Sequence, residues 1–362
     1  MSVKNETALL AWCMRRKGWD EETGELNNCV VADEWDVADY IRRVESMLKK
    51  LFSTKAKLFS VVQVGRFKRS VLRATALGQE FIDLLQGDLG LIFDNYAYYE
   101  FNPYISLYVD IVYRLDLDRL AVSLSDEQVD NFSVALATLQ FGIEEFRRMG
   151  QGCEFKNKLR NFRRSADKNL FGVKQYIDEM FRIYSRLMVV RLDVGYRKAL
   201  NDAESGQRVE YERVFKDRVE LFKRIRKKSG KKLVGFVWKL EYGLEKTYHY
   251  HLLLFFDGAQ VQEDISWGKM IGEIWVGEVT GGEGVYFNCN KNKSDYKLCG
   301  IGTVEYHDKE KRDNLLLAAS YLTKPDYYLR MVLPGGGRSL GKGVIPQGAS
   351  RKNGRPRMRV HI

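Results

Sequence analysis

The chain has 362 residues, with 59 Lys and Arg against 48 Asp and Glu and a net charge of +11. That length accommodates one or two domains with a sizeable core, and the basic excess suits a polyanionic partner. No run of about eighteen apolar residues occurs, which argues against a membrane-spanning helix. The five cysteines, Cys13, Cys29, Cys153, Cys289 and Cys299, are scattered, odd in number and never in a CxxC pair, the pattern of reduced thiols in a cytosolic protein. Trp12-Cys13-Met14-Arg15-Arg16 interrupts the short apolar run near the N-terminus, so no signal-peptide pattern forms.

Residues 1 to about 175 read as a mainly helical domain. Val37, Tyr40, Ile41, Val44, Met47, Leu48, Leu51 and Phe52 recur at helical spacing. The aromatic-rich stretch from Tyr96 to Tyr113 reads equally as helix or strand. Ser125-Asp126-Glu127-Gln128 is a capping-box signature that opens a second helix running through Arg147. Lys156, Lys158, Arg160, Arg163, Arg164 and Lys168 cluster near the end of this region. Its functional reading is origin recognition; the structural one is a solvated helix face.

From about residue 180 strands and helices alternate, which suits an α+β sandwich. Leu187 to Tyr196 is a strand, and Asp193 lies within it. Residues 207 to 228 form a helix. The dense basic run Lys223, Arg224, Arg226, Lys227, Lys228, Lys231 and Lys232 closes it, either as a path of phosphate contacts or as a soluble helix end. Phe236-Val237-Trp238-Lys239-Leu240-Glu241-Tyr242 is the next strand, and Gly243 to Thr247 a hairpin connection. Tyr248-His249-Tyr250-His251 then leads through Leu252-Leu253-Leu254-Phe255-Phe256 to a turn at Asp257-Gly258.

The chain has four histidines, and His249 and His251 are two residues apart on this strand. Alternate strand residues share a face, so both imidazoles point the same way and Tyr250 points the other. Two imidazoles on one face are half of a divalent-metal site; the plain alternative is two partly buried sheet histidines. Antiparallel pairing brings Glu241 near them. Two imidazoles and a carboxylate with open positions suit Mg²⁺, Mn²⁺ or Zn²⁺.

Residues 261 to 276 read as a helix buried through Ile265, Met270, Ile271, Ile274 and Trp275. Val285-Tyr286-Phe287 and Ile301 to Tyr306 are further strands. Asn314 to Lys324 is helical and stops before Pro325, with Tyr321 and Lys324 on one face. A cation beside this tyrosine and a metal at a phosphate would help form and use a phenolate. Residues 334 to 362 hold seven glycines, seven Lys or Arg and no acid, and read as a flexible tail that binds nucleic acid without sequence preference. There is no Walker A sequence, so no nucleotide cofactor is expected.

A strand with Glu241, then His249-Tyr250-His251, then a helix with Tyr321-Leu322-Thr323-Lys324, resembles the HUH endonucleases. In particular it resembles the inovirus-type (filamentous-phage) replication initiators and their prophage relatives, over about residues 180 to 333. The resemblance implies a central antiparallel sheet flanked by helices, a bound Mg²⁺ or Mn²⁺ and a covalent 5′-phosphotyrosine intermediate. The expected activity is nicking of single-stranded origin DNA of a phage, prophage or mobile element, to start rolling-circle replication with host replication machinery in the bacterial cytoplasm. Many such proteins use three histidines; here Glu241 or His307 must supply the third ligand. Tyr327 and Tyr328, beyond the proline, compete with Tyr321 as nucleophile. The rival readings are a noncatalytic DNA-binding replication regulator on the same fold and a zinc-dependent hydrolase that activates water.

Overall fold

The computed structural model describes residues 18–19, 26–27, 32–66, 69–87, 99–125, 132–197, 209–243 and 247–344. The elements fall into two compact units, 1–164 with 327–330, and 165–326 with 331–362. The division lies inside a helix, whereas the sequence suggests a boundary between residues 175 and 180.

The first unit contains the short strands β1 (Gly18–Trp19) and β2 (Leu26–Asn27). Helix α1 (Ala32–Ser53) follows, then the hairpin β3 (Phe59–Val64) and β4 (Arg69–Ala74), and α2 (Ala76–Leu85). Strand β5 (Tyr99–Phe101) leads into α3 (Pro103–Arg114), α4 (Leu117–Ser125) and α5 (Phe132–Gln151), and α6 (Cys153–Ile183) begins there. The stripe expected on the first helix is buried: Ile41, Val44, Met47, Leu48 and Leu51 are fully covered. The region is mainly helical, and the β3–β4 hairpin is its departure from the sequence reading. The ambiguous aromatic stretch is strand at Tyr99–Phe101 and helix from Pro103. Asn102 makes the switch, because its side chain accepts from the Ile105 amide at 3.1 Å and donates to the buried Glu45 at 3.0 Å. Ser125 is the last residue of α4; the rest of the predicted capping box falls in 126–131, outside the described residues, and the helix expected through Arg147 is described over Phe132–Gln151.

The second unit is α+β. It contains β6 (Arg186–Tyr196), α7 (Tyr211–Ser229), β7 (Leu233–Gly243) and β8 (Thr247–Asp257). Then come α8 (Asp264–Glu273), β9 (Gly284–Asn288), β10 (Gly302–Glu305) and α9 (Lys309–Tyr321); β11 (Leu329–Met331) lies mostly in the first unit, paired with β5, and β12 (Leu340–Lys342) returns to the second. The sheet order is β10-β6-β8-β7-β12, with β9 also on β6, and every pairing is antiparallel. This is the central antiparallel sheet flanked by helices that the sequence predicts. The helix expected over 261–276 ends as α8 and passes into a π-helical turn, Ile274–Val279, which turns Trp275 inward to donate to the Gly195 carbonyl at 2.8 Å.

Strand alternation sorts the sheet's two faces. One face carries Tyr250, Leu252, Leu254 and Phe256, and α7 covers it: Tyr250 donates to the Val214 carbonyl, and Phe222 packs on Phe236 at 4.4 Å between ring centroids. The other face carries His249, His251, Leu253 and Phe255. Its apolar half packs with Val173, Ile177 and Met180 of α6 and Leu315, Ala319 and Leu322 at the α9 end. Fully burying one such Leu or Phe contributes about 1.5–3 kcal/mol.

The stretch from Pro334 differs in part from the tail expected for it. Leu340–Lys342 pairs with Val237–Lys239 as an edge strand, closed by Leu240 N–H donating to Ser339 O at 2.7 Å and Gly343 N–H to Phe236 O at 2.9 Å. Leu340 is partly buried against the core, and that contact gives the glycine-rich segment a reason to order. Residues 345–362, with Arg351, Lys352, Arg355, Arg357 and Arg359, lie outside the described residues. A chain ended after Val344 keeps every described hydrogen bond of β12 and serves as the reference truncation. Ending the chain after Leu333 strips the β7 edge of its partner and is expected to lower Tm by several degrees, at about 1 kcal/mol per lost hydrogen bond. Equal melting curves for the two truncations would contradict the assignment of β12.

Candidate metal centre

The register builds the site directly. His251 sits opposite Asp193 on β6 and Lys239 on β7, while His249 sits opposite Gly195 and Glu241. Gly195 leaves room for the imidazole row, since a Cβ there would stand 3.3 Å from that of His249. One nitrogen from each histidine and a Glu241 oxygen lie within 4.8 Å of one another. Nε2 of His251 is 3.2 Å from Glu241 Oε2, and Nε2 of His249 is 3.6 Å from it. The imidazoles are 5% and 3% exposed, and the Glu241 side chain 16%.

Both rings have an outer partner. His249 Nδ1 lies 3.0 Å from the Thr247 carbonyl, and His251 Nδ1 lies 2.5 Å from Asp193 Oδ1. A carbonyl can only accept, so the His249 proton sits on Nδ1 and leaves the Nε2 lone pair toward Glu241. Asp193 accepts from His251 Nδ1 and gives it the same tautomer, as carboxylates behind metal-bound histidines do. Asp193 therefore orients the His251 ring. Thr247 adopts φ +47°, a left-handed conformation that β-branched residues rarely hold. That strained residue supplies the carbonyl behind His249. The donor set, two imidazoles and one carboxylate, fits a divalent cation of the Mn²⁺, Mg²⁺ or Zn²⁺ type. Changing Asp193 to Ala is expected to weaken Mn²⁺ binding about 10- to 100-fold. Calorimetric titration with Mn²⁺ checks this, and an unchanged affinity would remove Asp193 from the site.

Other groups nearby are unsuited to ligation or attack. Tyr250 is on the opposite face, and burial pushes its phenol pKa up, with Arg218 opposing. Cys289 is buried, and burial, aided by the Asp193 charge, pushes its thiol up to about 12, so it stays protonated. His307 is exposed beyond β10 and stacks edge-on with Tyr306 at 5.3 Å, so Glu241 and not His307 completes the cluster.

The tyrosine segment differs from its predicted form. Helix α9 ends at Tyr321, and Lys324 opens a separate 3-10 turn, Lys324–Tyr327, so the two do not share one continuous helix face. Pro325 explains the break; the Lys324 side chain lies outside the described residues. Tyr321 is 8% exposed, while Tyr327 and Tyr328 are half-buried. An ion pair absent from the sequence reading anchors this segment. Lys239, beside His251 in the sheet, donates to Asp326, and the two side chains are 2% and 3% exposed. Asn169 donates to the other Asp326 oxygen at 3.3 Å. A lysine at an inward-facing strand position was the available signal, because such a charge requires a partner.

The predicted basic run divides. Lys223 pairs with Glu220 at 3.4 Å, and Arg224 with Glu220 at 2.8 Å and with Glu278. Arg226, Lys227, Lys228, Lys231 and Lys232 form no ion pair among the described residues, and Lys232 lies over the Trp267 ring at 5.9 Å. No helix among the described residues is long and apolar enough to cross a membrane.

No curated protein and no solved structure matches the chain. Residues 152–331 match the family model for the YagK/YfjJ C-terminal domain, a family of prophage-like bacterial proteins.

Proposed function

We propose that this protein is a metal-dependent nickase of single-stranded DNA, of the HUH type found in inovirus replication initiators. In this reading it starts rolling-circle replication of a prophage-like element in the bacterial cytoplasm. The observation that carries the reading is the convergence of His249 Nε2, His251 Nε2 and Glu241 Oε2, with both Nδ1 atoms already engaged. The prophage-like family supports the setting.

His249, His251 and Glu241 would hold Mg²⁺ or Mn²⁺. When bound, the cation supplies positive charge to a scissile phosphate. Asp193 and the Thr247 carbonyl keep the imidazoles aimed throughout. Tyr321 Oη attacks phosphorus and loses its proton. The new O–P bond forms as the bond to the 3′ oxygen breaks, and that oxygen takes up a proton to become the 3′-OH primer. Lys324 assists by lowering the phenol pKa or by neutralising the phosphate. The unpaired cations of the basic run bind the backbone.

The burial of Tyr321, at 8% exposure, favours a second reading, a zinc-dependent hydrolase in which water attacks. Cleavage of labelled single-stranded oligonucleotides with Mn²⁺ and with EDTA tests both. The nickase requires metal-dependent scission with one product end carried by protein. Scission with both ends free selects the hydrolase, and binding without scission selects a noncatalytic regulator.

A further inference from the structure

A cleft of about 700 Å³ opens at the far end of β7 from Glu241, between α7, the 3-10 turn Gly230–Lys232 and the end of β12. Its lining includes Arg226, Lys231 and Lys342, three rings (Tyr176, Tyr184 and Phe236), and no Asp or Glu. The three cations are exposed, and none is ion-paired among the described residues, unlike Lys223 and Arg224 on the same helix. Arg226 stands over Phe236 at 5.7 Å and Lys342 over Tyr176 at 5.1 Å. Tyr176 is buried as the floor, its hydroxyl accepting from Phe236 N–H at 3.2 Å, whereas Tyr184 and Phe236 are half-buried. Gly343 keeps the floor open, since a Cβ there would meet the Tyr176 hydroxyl at 2.4 Å.

We infer that this cleft is a second nucleic-acid site, which takes an unpaired nucleotide of a single-stranded DNA. Unpaired cations without a facing carboxylate select a phosphate. Half-buried rings beside them offer a stacking surface that an unpaired base can reach and a duplex base cannot. The volume lies within the range of sites that enclose one small ligand. From Phe236 to Glu241 along β7 is about 17 Å at about 3.3 Å per residue. The inference rests on the reading of this protein as one that handles single-stranded DNA, but it requires no cleavage.

The test is fluorescence anisotropy of the full chain with a short single-stranded oligonucleotide in EDTA, across a salt series. Arg226→Gln with Lys342→Gln is expected to weaken binding about tenfold and to flatten the log–log salt slope by about 1.4, two contacts at about 0.7 each. Tyr184→Leu is expected to weaken binding about five- to a hundredfold with the slope unchanged, and to have no effect on an abasic oligonucleotide. Lys223→Gln with Arg224→Gln removes the same charge outside the cleft and is expected to have a smaller effect. Melting curves confirm that each variant folds. If the wild type binds but the cleft variants match it or match the charge control, the cleft assignment is overturned. If the wild type fails to bind single strands, the DNA-handling reading falls as well.

Discussion

Replacing His251 by Ala is expected to reduce strand scission about a thousandfold or more, while single-strand affinity stays within about threefold. A metal-held charge at a scissile phosphate stabilises the transition state by several kcal/mol, and each 1.36 kcal/mol is a factor of ten in rate. Affinity comes from backbone phosphate contacts elsewhere. His251 is the more central of the two imidazoles: it is 3% exposed, 3.2 Å from Glu241, and backed by Asp193. His249→Ala is expected to act in the same direction. Gel scission assays beside anisotropy separate the two effects. Scission at the wild-type rate in either variant, with metal saturating, would dismantle the site.

The second large effect concerns stability. Lys239→Met alone leaves Asp326 charged and buried, and Asp326→Leu alone does the same to Lys239. Breaking such a pair from one side costs about 3–5 kcal/mol, whereas replacing both partners by apolar groups is often neutral. Each single variant is therefore expected to lower Tm by on the order of 10 °C, and the double variant to recover most of the loss. Because the pair ties the segment after Tyr321 to the row containing His251, the double variant is expected to fold yet cleave slowly. Additive losses in the thermal melts would show that the two side chains do not act as a unit.

Much of the second unit was legible because its strands are long runs of apolar and aromatic residues whose successive side chains point to opposite faces. His249, His251 and Glu241 needed only strand period and one hairpin to be placed together, and the observed register, Glu241 opposite His249, follows from them. Asp193 lay on a recognisable strand, but its partner depended on β6 lying beside β8, which pairs residues 58 positions apart. The Lys239–Asp326 pair spans 87 positions, beyond any local pattern. Charge counting treated Lys223 and Arg224 like their neighbours, because Glu278 meets Arg224 only through the fold. The edge strand β12 was hidden by composition: glycines and cations signal a free tail, and its order comes from the vacant edge of β7 that it occupies.

The most direct test of the central claim is incubation of the full chain with a single-stranded origin oligonucleotide and Mn²⁺, followed by boiling in detergent and peptide mapping. The expected result is a surviving protein–DNA species with the 5′-phosphate on Tyr321, lost in Tyr321→Phe and retained in Tyr327→Phe and Tyr328→Phe. An adduct on Tyr327 or Tyr328 would reassign the nucleophile, and scission without any adduct would contradict the phosphotyrosine mechanism.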